Sequence, residues 1–230
     1  KRFLVLSCSV AISALFFHAC SFSDDSMIDA PLTRADAVSE KIVFQDDFNQ
    51  ADSIPDRNKW SLCKKGSPAW SKYLSESYDQ AYVHDGKLVL VAEKVNGVYK
   101  TGGVQSLGKA EFQYGKIEIC ARFTKTAKGG WPAIWMMPAK PVYSGWPACG
   151  EIDIMEQLNH DGIVYQTIHS HYKNDLGFTK PVPTKTVSYN KGQFNIFGIE
   201  WTPEALTFKV NGATTLVYPN LHLADESVKK

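Results

Sequence analysis

Residues 150–156 read Gly-Glu-Ile-Asp-Ile-Met-Glu. Side chains of a β-strand alternate between its two faces. Glu151 and Asp153 therefore share one face, while Ile152 and Ile154 share the other, as in a strand with one side on a core. Strict alternation would turn Met155 toward the acids and Glu156 into the core. A β-bulge near Met155 inserts one extra residue and returns Glu156 to the acidic face. Glu151 and Glu156 are then roughly four strand steps apart, about 13 Å between Cα atoms. Two long glutamates can lean across that distance above a shorter aspartate. Three carboxylates on one face repel one another, which raises the pKa of at least one. The set suits one ionised nucleophile, one protonated acid and one group between them that tunes both. A plain acidic strand facing solvent carries the same letters, so the flanks have to decide.

Outward on both sides the chain is rich in tryptophan. Gly129-Gly130-Trp131-Pro132-Ala133-Ile134-Trp135-Met136-Met137 precedes the acids, and Gly145-Trp146-Pro147-Ala148-Cys149 leads into them. Indole faces stack on the C–H surface of sugar rings, and a pair of carboxylates can act on the bond between two rings. Each tryptophan taken singly is more often a core residue.

Further out, short β-prone runs alternate with turn residues. His84-Asp85-Gly86 separates Ala81-Tyr82-Val83 from the run Lys87 to Val91, and Asn211-Gly212 separates Leu206–Val210 from Thr214–Tyr218. Asp-Gly and Asn-Gly between such runs predict hairpins. Ile42-Val43-Phe44, Phe112 to Phe123, Val164 to His171 and Phe194 to Trp201 read as further strands, and no segment keeps a helical period for three turns. Many strands at this spacing predict an all-β sandwich or barrel in a single domain, without internal repeats.

The chain of 230 residues is 44% hydrophobic and 21% charged, which excludes general disorder. Its formal net charge of +1 lacks the field of a nucleic-acid binder. Its 12% of aromatic residues supplies both a core and stacking surfaces. Cys63, Cys120 and Cys149 have no metal-ligand spacing; three free thiols, or one disulfide and one thiol, both fit.

These stretches, followed by Thr167-Ile168-His169 and Ile199-Glu200-Trp201-Thr202-Pro203, resemble glycoside hydrolase family 16 from about residue 41 onward. The likeness is closest to the laminarinase-like branch, which has the bulged acid motif. The resemblance implies a β-jelly roll of two curved antiparallel sheets with an open cleft, and hydrolysis of internal β-glycosidic bonds with retention. It implies Glu151 as nucleophile, Glu156 as acid/base and Asp153 as helper, with no cofactor required and a structural calcium ion allowed. Trp131, Trp135 and Trp146 match cleft aromatics, and His169 matches a histidine near the acid/base; His171 and Trp70 are read with them as substrate contacts. The expected substrate is a β-1,3- or β-1,4-linked glucan or galactoside-containing glycan. Several positions depart from the glucanase pattern. Residues 67–80 replace an Asn-Asn-Glu-Leu-Gln stretch, His169-Ser170-His171-Tyr172 replaces a His-Trp, Cys120 stands where arginine is frequent, and Asn195 where histidine is. These changes resemble relatives from gut bacteria that cut mucin O-glycans. The family's final Val-Asp-Tyr-Val-Arg strand pattern is not found, so residues 41–230 are expected to be a catalytic domain shortened at its C-terminal side.

The start of the chain has the form of an export signal. Lys1-Arg2 precedes an apolar run from Phe3 to Phe17, and Ala19-Cys20 is followed by polar residues. Residues 1–20 are read as a bacterial lipoprotein signal with Cys20 lipidated, and residues 21–40 as a polar tether. The expected location is secreted, cell-surface or periplasmic, with the lipid holding the protein at a bacterial outer membrane; an ordinary cleaved peptide with Cys20 incidental is the alternative, and the protein is expected to be a monomer. Two rival functions fit part of the same sequence. A non-catalytic glycan-binding jelly roll would keep the aromatics and lose an outer glutamate. A metal-dependent barrel would use His169 and His171 on one strand face, yet no third ligand at suitable spacing accompanies them.

Overall fold

The computed structural model describes residues 2–11 and 41–228. Cys20 and the tether 21–40 lie outside the described residues. In chain order the strands are β1 (Arg2–Ala11), β2 (Gln45–Asp46), β3 (Ser61–Leu62), β4 (Ala81–Val83), β5 (Leu88–Val95), β6 (Val98–Thr101), β7 (Val104–Gln105), β8 (Gly115–Phe123), β9 (Ala133–Met136), β10 (Glu151–Glu156), β11 (Ile163–His169), β12 (Thr184–Ser188), β13 (Asn195–Trp201), β14 (Ala205–Val210) and β15 (Ala213–Pro219). One helical turn, α1 (His171–Asn174), is the only helix among the described residues. It is too short to cross a membrane.

The strands form a sandwich. A nine-stranded sheet runs β15-β14-β13-β8-β1-β5-β4, with β2 also on β1 and β6 on β5. A four-stranded sheet runs β12-β11-β10-β9 and faces it, and β3 and β7 form a separate pair. Antiparallel pairing follows from the turn chemistry. Asp85 and Gly86, and Asn211 and Gly212, all take positive φ, as two-residue hairpin turns between right-twisted strands require. Asn96-Gly97 makes a third such hairpin between β5 and β6.

The core lies between the two sheets. Ile154, Met155, Val164 and Ile168 from the small sheet meet Ile119, Ala121, Phe123, Phe197, Ile199, Phe208, Val210 and Leu216 from the large one. Burying one aliphatic or aromatic side chain of this size contributes about 1.5–3 kcal/mol, which fixes which face of β10 turns inward.

Part of the segment 1–20 read as an export signal, Arg2–Ala11, lies as β1 between β5 and β8. A short apolar run fits a strand as well as a signal core, because periodicity does not separate the two. Cys63, Cys120 and Cys149 are all free, and all are partly exposed rather than fully buried. Burial pushes the Cys63 thiol up to about 11 and raises Cys120 as well, so neither is a ready nucleophile near neutrality.

Candidate active site

The acid motif occupies the whole of β10. Its bulge is visible in both ladders. Against β11, Asp153 pairs with Thr167 and Glu156 with Tyr165, so three steps on β10 match two on its neighbour. Against β9, Asp153 pairs with Trp135 and Met155 with Ile134, so two steps match one. Ile154 is the residue left without a partner in either ladder. Ile154 and Met155 consequently both enter the core, at 1% and 0% exposure, and Glu156 emerges on the face of Glu151 and Asp153.

Cross-strand pairing assembles the rest of that face. Glu151 stands opposite His169, Asp153 opposite Thr167 on one side and Trp135 on the other, and Glu156 opposite Tyr165 and Ala133. The outer glutamates each meet an indole. Trp146 Nε1 donates to Glu151 Oε2 at 2.5 Å, and Trp131 Nε1 donates to Glu156 Oε1 at 2.6 Å. Both indoles are about half exposed, so their faces remain open to a ligand. Trp70 packs edge-on against Trp135, ring centroids 5.0 Å apart, and extends the aromatic wall. Trp146 lies 5.5 Å from His169 by centroids.

Asp153 is buried at 2% exposure beneath the two glutamates. His169 Nε2 lies 3.2 Å from its Oδ2, within ion-pair distance though off the ideal hydrogen-bond angle, and among the described residues no other side chain hydrogen-bonds to that oxygen. On the far side of the imidazole, Asn174 Nδ2 is 3.1 Å from Nδ1. Ser170 N–H holds the Asn174 oxygen at 3.2 Å, which aims the amide NH₂ at the ring. With Nδ1 accepting, the proton of neutral His169 sits on Nε2 and faces Asp153.

The electrostatics follow from burial and crowding. Desolvation, then the charge of Asp153, pushes Glu151 up to about 7, against the opposing effect of the Trp146 N–H. Glu156 is raised for the same two reasons, with Trp131 opposing. Asp153 raises His169, while burial and Lys173 oppose it. The carboxylates thus titrate as a coupled set, and the apparent pKa values belong to the set. Glu151, Asp153 and His169 also bring one donor atom each within 4.8 Å of one another, the spread of a divalent-cation site with two oxygens and one nitrogen.

Of the residues singled out by sequence, Glu151, Asp153, Glu156, Trp131, Trp135, Trp146, His169 and Trp70 are linked through these contacts. His171 departs from the strand-face expectation. β11 ends at His169, the Ser170 hydroxyl accepts from Lys173 N–H and opens α1, and His171 Nδ1 pairs with Asp175 Oδ2 at 2.6 Å. The two histidines therefore do not share a strand face, and the metal-barrel geometry fails there. Sequence reasoning missed Asn174, which orients His169, and Asn159, which holds the loop carrying Trp131. Asn159 Oδ1 accepts from Gly129 N–H at 2.8 Å, and Asn159 N–H donates to Gly130 O at 2.9 Å. The signal for Ser170 and Asn174 is a capping serine just past a strand.

Residues 70–226 match the model of glycosyl hydrolases family 16. This chain belongs to that family. It is 36% identical over 186 residues to a keratan-sulfate endo-1,4-beta-galactosidase of Sphingobacterium multivorum, a match covering 77% of this chain and 43% of that protein. It is 31% identical over 196 residues to a beta-glucanase of Rhodothermus marinus, covering 80% and 68%. A solved structure from work on endo-acting O-glycanases, with which prominent human gut bacteria initiate mucin breakdown, superposes with a TM-score of 0.72 at 36% identity, covering 83% of this chain and 80% of that one. The chain thus spans less than half the length of the galactosidase, and its sandwich is the jelly roll of this family's structures.

Proposed function

We propose that residues 41–230 act as the catalytic domain of an endo-hydrolase that cuts internal β-1,3 or β-1,4 bonds of a polysaccharide or complex glycan with retention. One observation carries the reading: the bulge at Ile154 gathers three carboxylates on one face, and an indole N–H meets each outer one. In the first step the Glu151 carboxylate attacks the anomeric carbon while Glu156 gives its proton to the departing glycosidic oxygen. The C–O bond breaks, a glycosyl ester forms on Glu151, and the leaving sugar departs with the proton. In the second step Glu156 takes a proton from water, whose oxygen attacks the same carbon and releases Glu151. Asp153 keeps the proton inventory of the pair low-cost, and His169 balances its charge. The roles of Glu151 and Glu156 follow the motif, because both pKa values are raised. No step uses a metal, so activity should survive a chelator.

The substrate proposed is a β-linked glucan or a galactoside-containing glycan. Support comes from relatives of both kinds and from residues 67–80, where Trp70 builds the cleft wall beside Trp135. Export as a lipoprotein is supported by Lys1-Arg2, the apolar run and Ala19-Cys20. Cleavage before Cys20 would withdraw β1 from between β5 and β8. Mass spectrometry of the exported N-terminus tests both points, because an acylated Cys20 start excludes β1 from the mature protein. The test of function is a screen of laminarin, mixed-linkage glucan, galactans, keratan sulfate and mucin O-glycans, with product anomers followed by NMR. Early accumulation of the inverted anomer, or no cleavage of any of them, would sink the reading.

A further inference from the structure

A buried polar bridge joins the two sheets directly beneath the acids. Gln166 lies on β11 between Tyr165 and Thr167, which face the cleft, so its own side chain points into the core, at 0% exposure. Its Nε2 donates to the carbonyl oxygen of Ile154 at 3.2 Å. Ile154 is the residue that the β10 bulge leaves without a Cα partner in either ladder, so the glutamine bond reaches the bulge itself. The other end of the amide is held from the opposite sheet, where the Thr215 hydroxyl donates to Gln166 Oε1 and lies 3.1 Å from the carbonyl of Phe208. Thr215 is itself the extra residue of a second bulge: Phe208 pairs with Leu216 and Lys209 with Thr214, which leaves Thr215 between them. Two bulges in facing sheets are thus tied through one glutamine.

A buried amide with both ends satisfied holds its partners in one arrangement, and a half-satisfied one does not. The bulge decides whether Glu156 faces the cleft or the core. From this geometry we infer that Gln166, oriented by Thr215, is a positioning residue for the Glu156 carboxyl, acting through the bulged backbone at Ile154. The inference rests on the reading of Glu156 as proton donor.

The test compares Gln166→Met, which keeps the shape and loses the donor, with Thr215→Val and Thr215→Ser. Each is assayed on the polymer cut most rapidly in the screen and on the 2,4-dinitrophenyl β-glycoside of its repeating disaccharide. For Gln166→Met we expect kcat on the polymer to fall about 10- to 100-fold with KM nearly unchanged, the pattern of a displaced catalytic group. The loss in kcat/KM should shrink at least about fivefold on the dinitrophenyl glycoside, whose leaving group needs no proton in the first step. Thr215→Val should show a smaller loss of the same kind, and Thr215→Ser should restore wild-type turnover. A folded Gln166→Met with kcat within about twofold of wild type, or with equal losses on both substrates, overturns the inference. Should that variant not fold, Thr215→Val decides by the same two criteria. Glu156→Gln is run alongside; wild-type turnover of the polymer by that variant would overturn the acid/base reading itself, whatever Gln166 does.

Discussion

Trp146 and Trp131 perform the same physical act on two different carboxylates. Each indole N–H favours the ionised form of the glutamate it touches and so opposes the rise caused by burial and by Asp153. Removing either donor should therefore raise the pKa of its own partner. Since a nucleophile must be ionised and an acid protonated, the two substitutions should move different limbs of the pH–rate profile. Trp146→Phe should shift the acidic limb of kcat/KM to higher pH, with turnover near pH 5 falling several-fold and recovering toward pH 8. Trp131→Phe should extend the alkaline limb upward instead. If the limbs respond the other way round, the roles of Glu151 and Glu156 are exchanged. Replacing the acids is the cruder test. Glu151→Gln and Glu156→Gln should each lose at least about 100-fold in kcat on an unactivated glycan, and Asp153→Asn less, because it tunes the pair without touching the bond.

At the scale of elements, the loop carrying Trp131 is placed by the turn that follows β10. Gln157 N–H donates to Pro132 O at 3.0 Å, and Asn159 closes on Gly129 and Gly130 from a left-handed backbone, φ 53°. Asn159→Ala should cost about 1–2 kcal/mol, because it keeps a Cβ at positive φ and loses the hydrogen bond from Gly129 N–H. That is roughly 2–8 °C in Tm at this size. Asn159→Gly removes the strain but loses the same hydrogen bond, so it should sit nearer wild type in Tm while sharing a few-fold loss of kcat. Equal melting of the two variants would show that backbone strain is not the cause. The contrast between Asn159 and the residues read in advance shows what was legible. The acid-bearing strand, its bulge and the Asp85-Gly86 and Asn211-Gly212 hairpins were readable, because alternation and turn chemistry are local. The Asn96-Gly97 hairpin carries the same signal between less apolar flanks and was passed over. Extending the strand to His171 failed because Ser170 caps a helical turn. Gln157 and Gln166, both at 0% exposure, could not be foreseen as core residues. Their partners are loop carbonyls, the carbonyl of the bulged Ile154 and the Thr215 hydroxyl, which come together only once the sheets are paired.

Over the whole molecule, the site imposes a pH dependence on stability whose sign is fixed. Glu151 titrates near 7 in the folded chain against 4.5 when unperturbed, and Glu156 is also raised. Between those values the folded state binds more protons than the unfolded one, so stability falls as pH rises through the window. His169 is raised from 6.5. Its contribution is fully present below that value and is lost as pH climbs through the folded pKa, so it has the same sign. Asp52 and Asp225 are lowered from 3.8, which places their contribution above that value and its loss in more acid solution, outside the window. Tyr189 and Tyr218 are raised from 10.0 and do not enter it either. Glu151 is partly solvated, so its contribution is discounted for screening to about 1–2 kcal/mol. At about 2–4 °C per kcal/mol, Tm should fall by several degrees between pH 5 and pH 8. Glu151→Gln removes the largest part of this penalty. It should match wild type near pH 5 and melt several degrees higher near pH 8, while losing activity at both. Calorimetric scans of the two proteins across that range decide the matter. A wild-type Tm that is flat or rising would mean the carboxylates are relieved by a neighbour other than His169, Trp131 or Trp146.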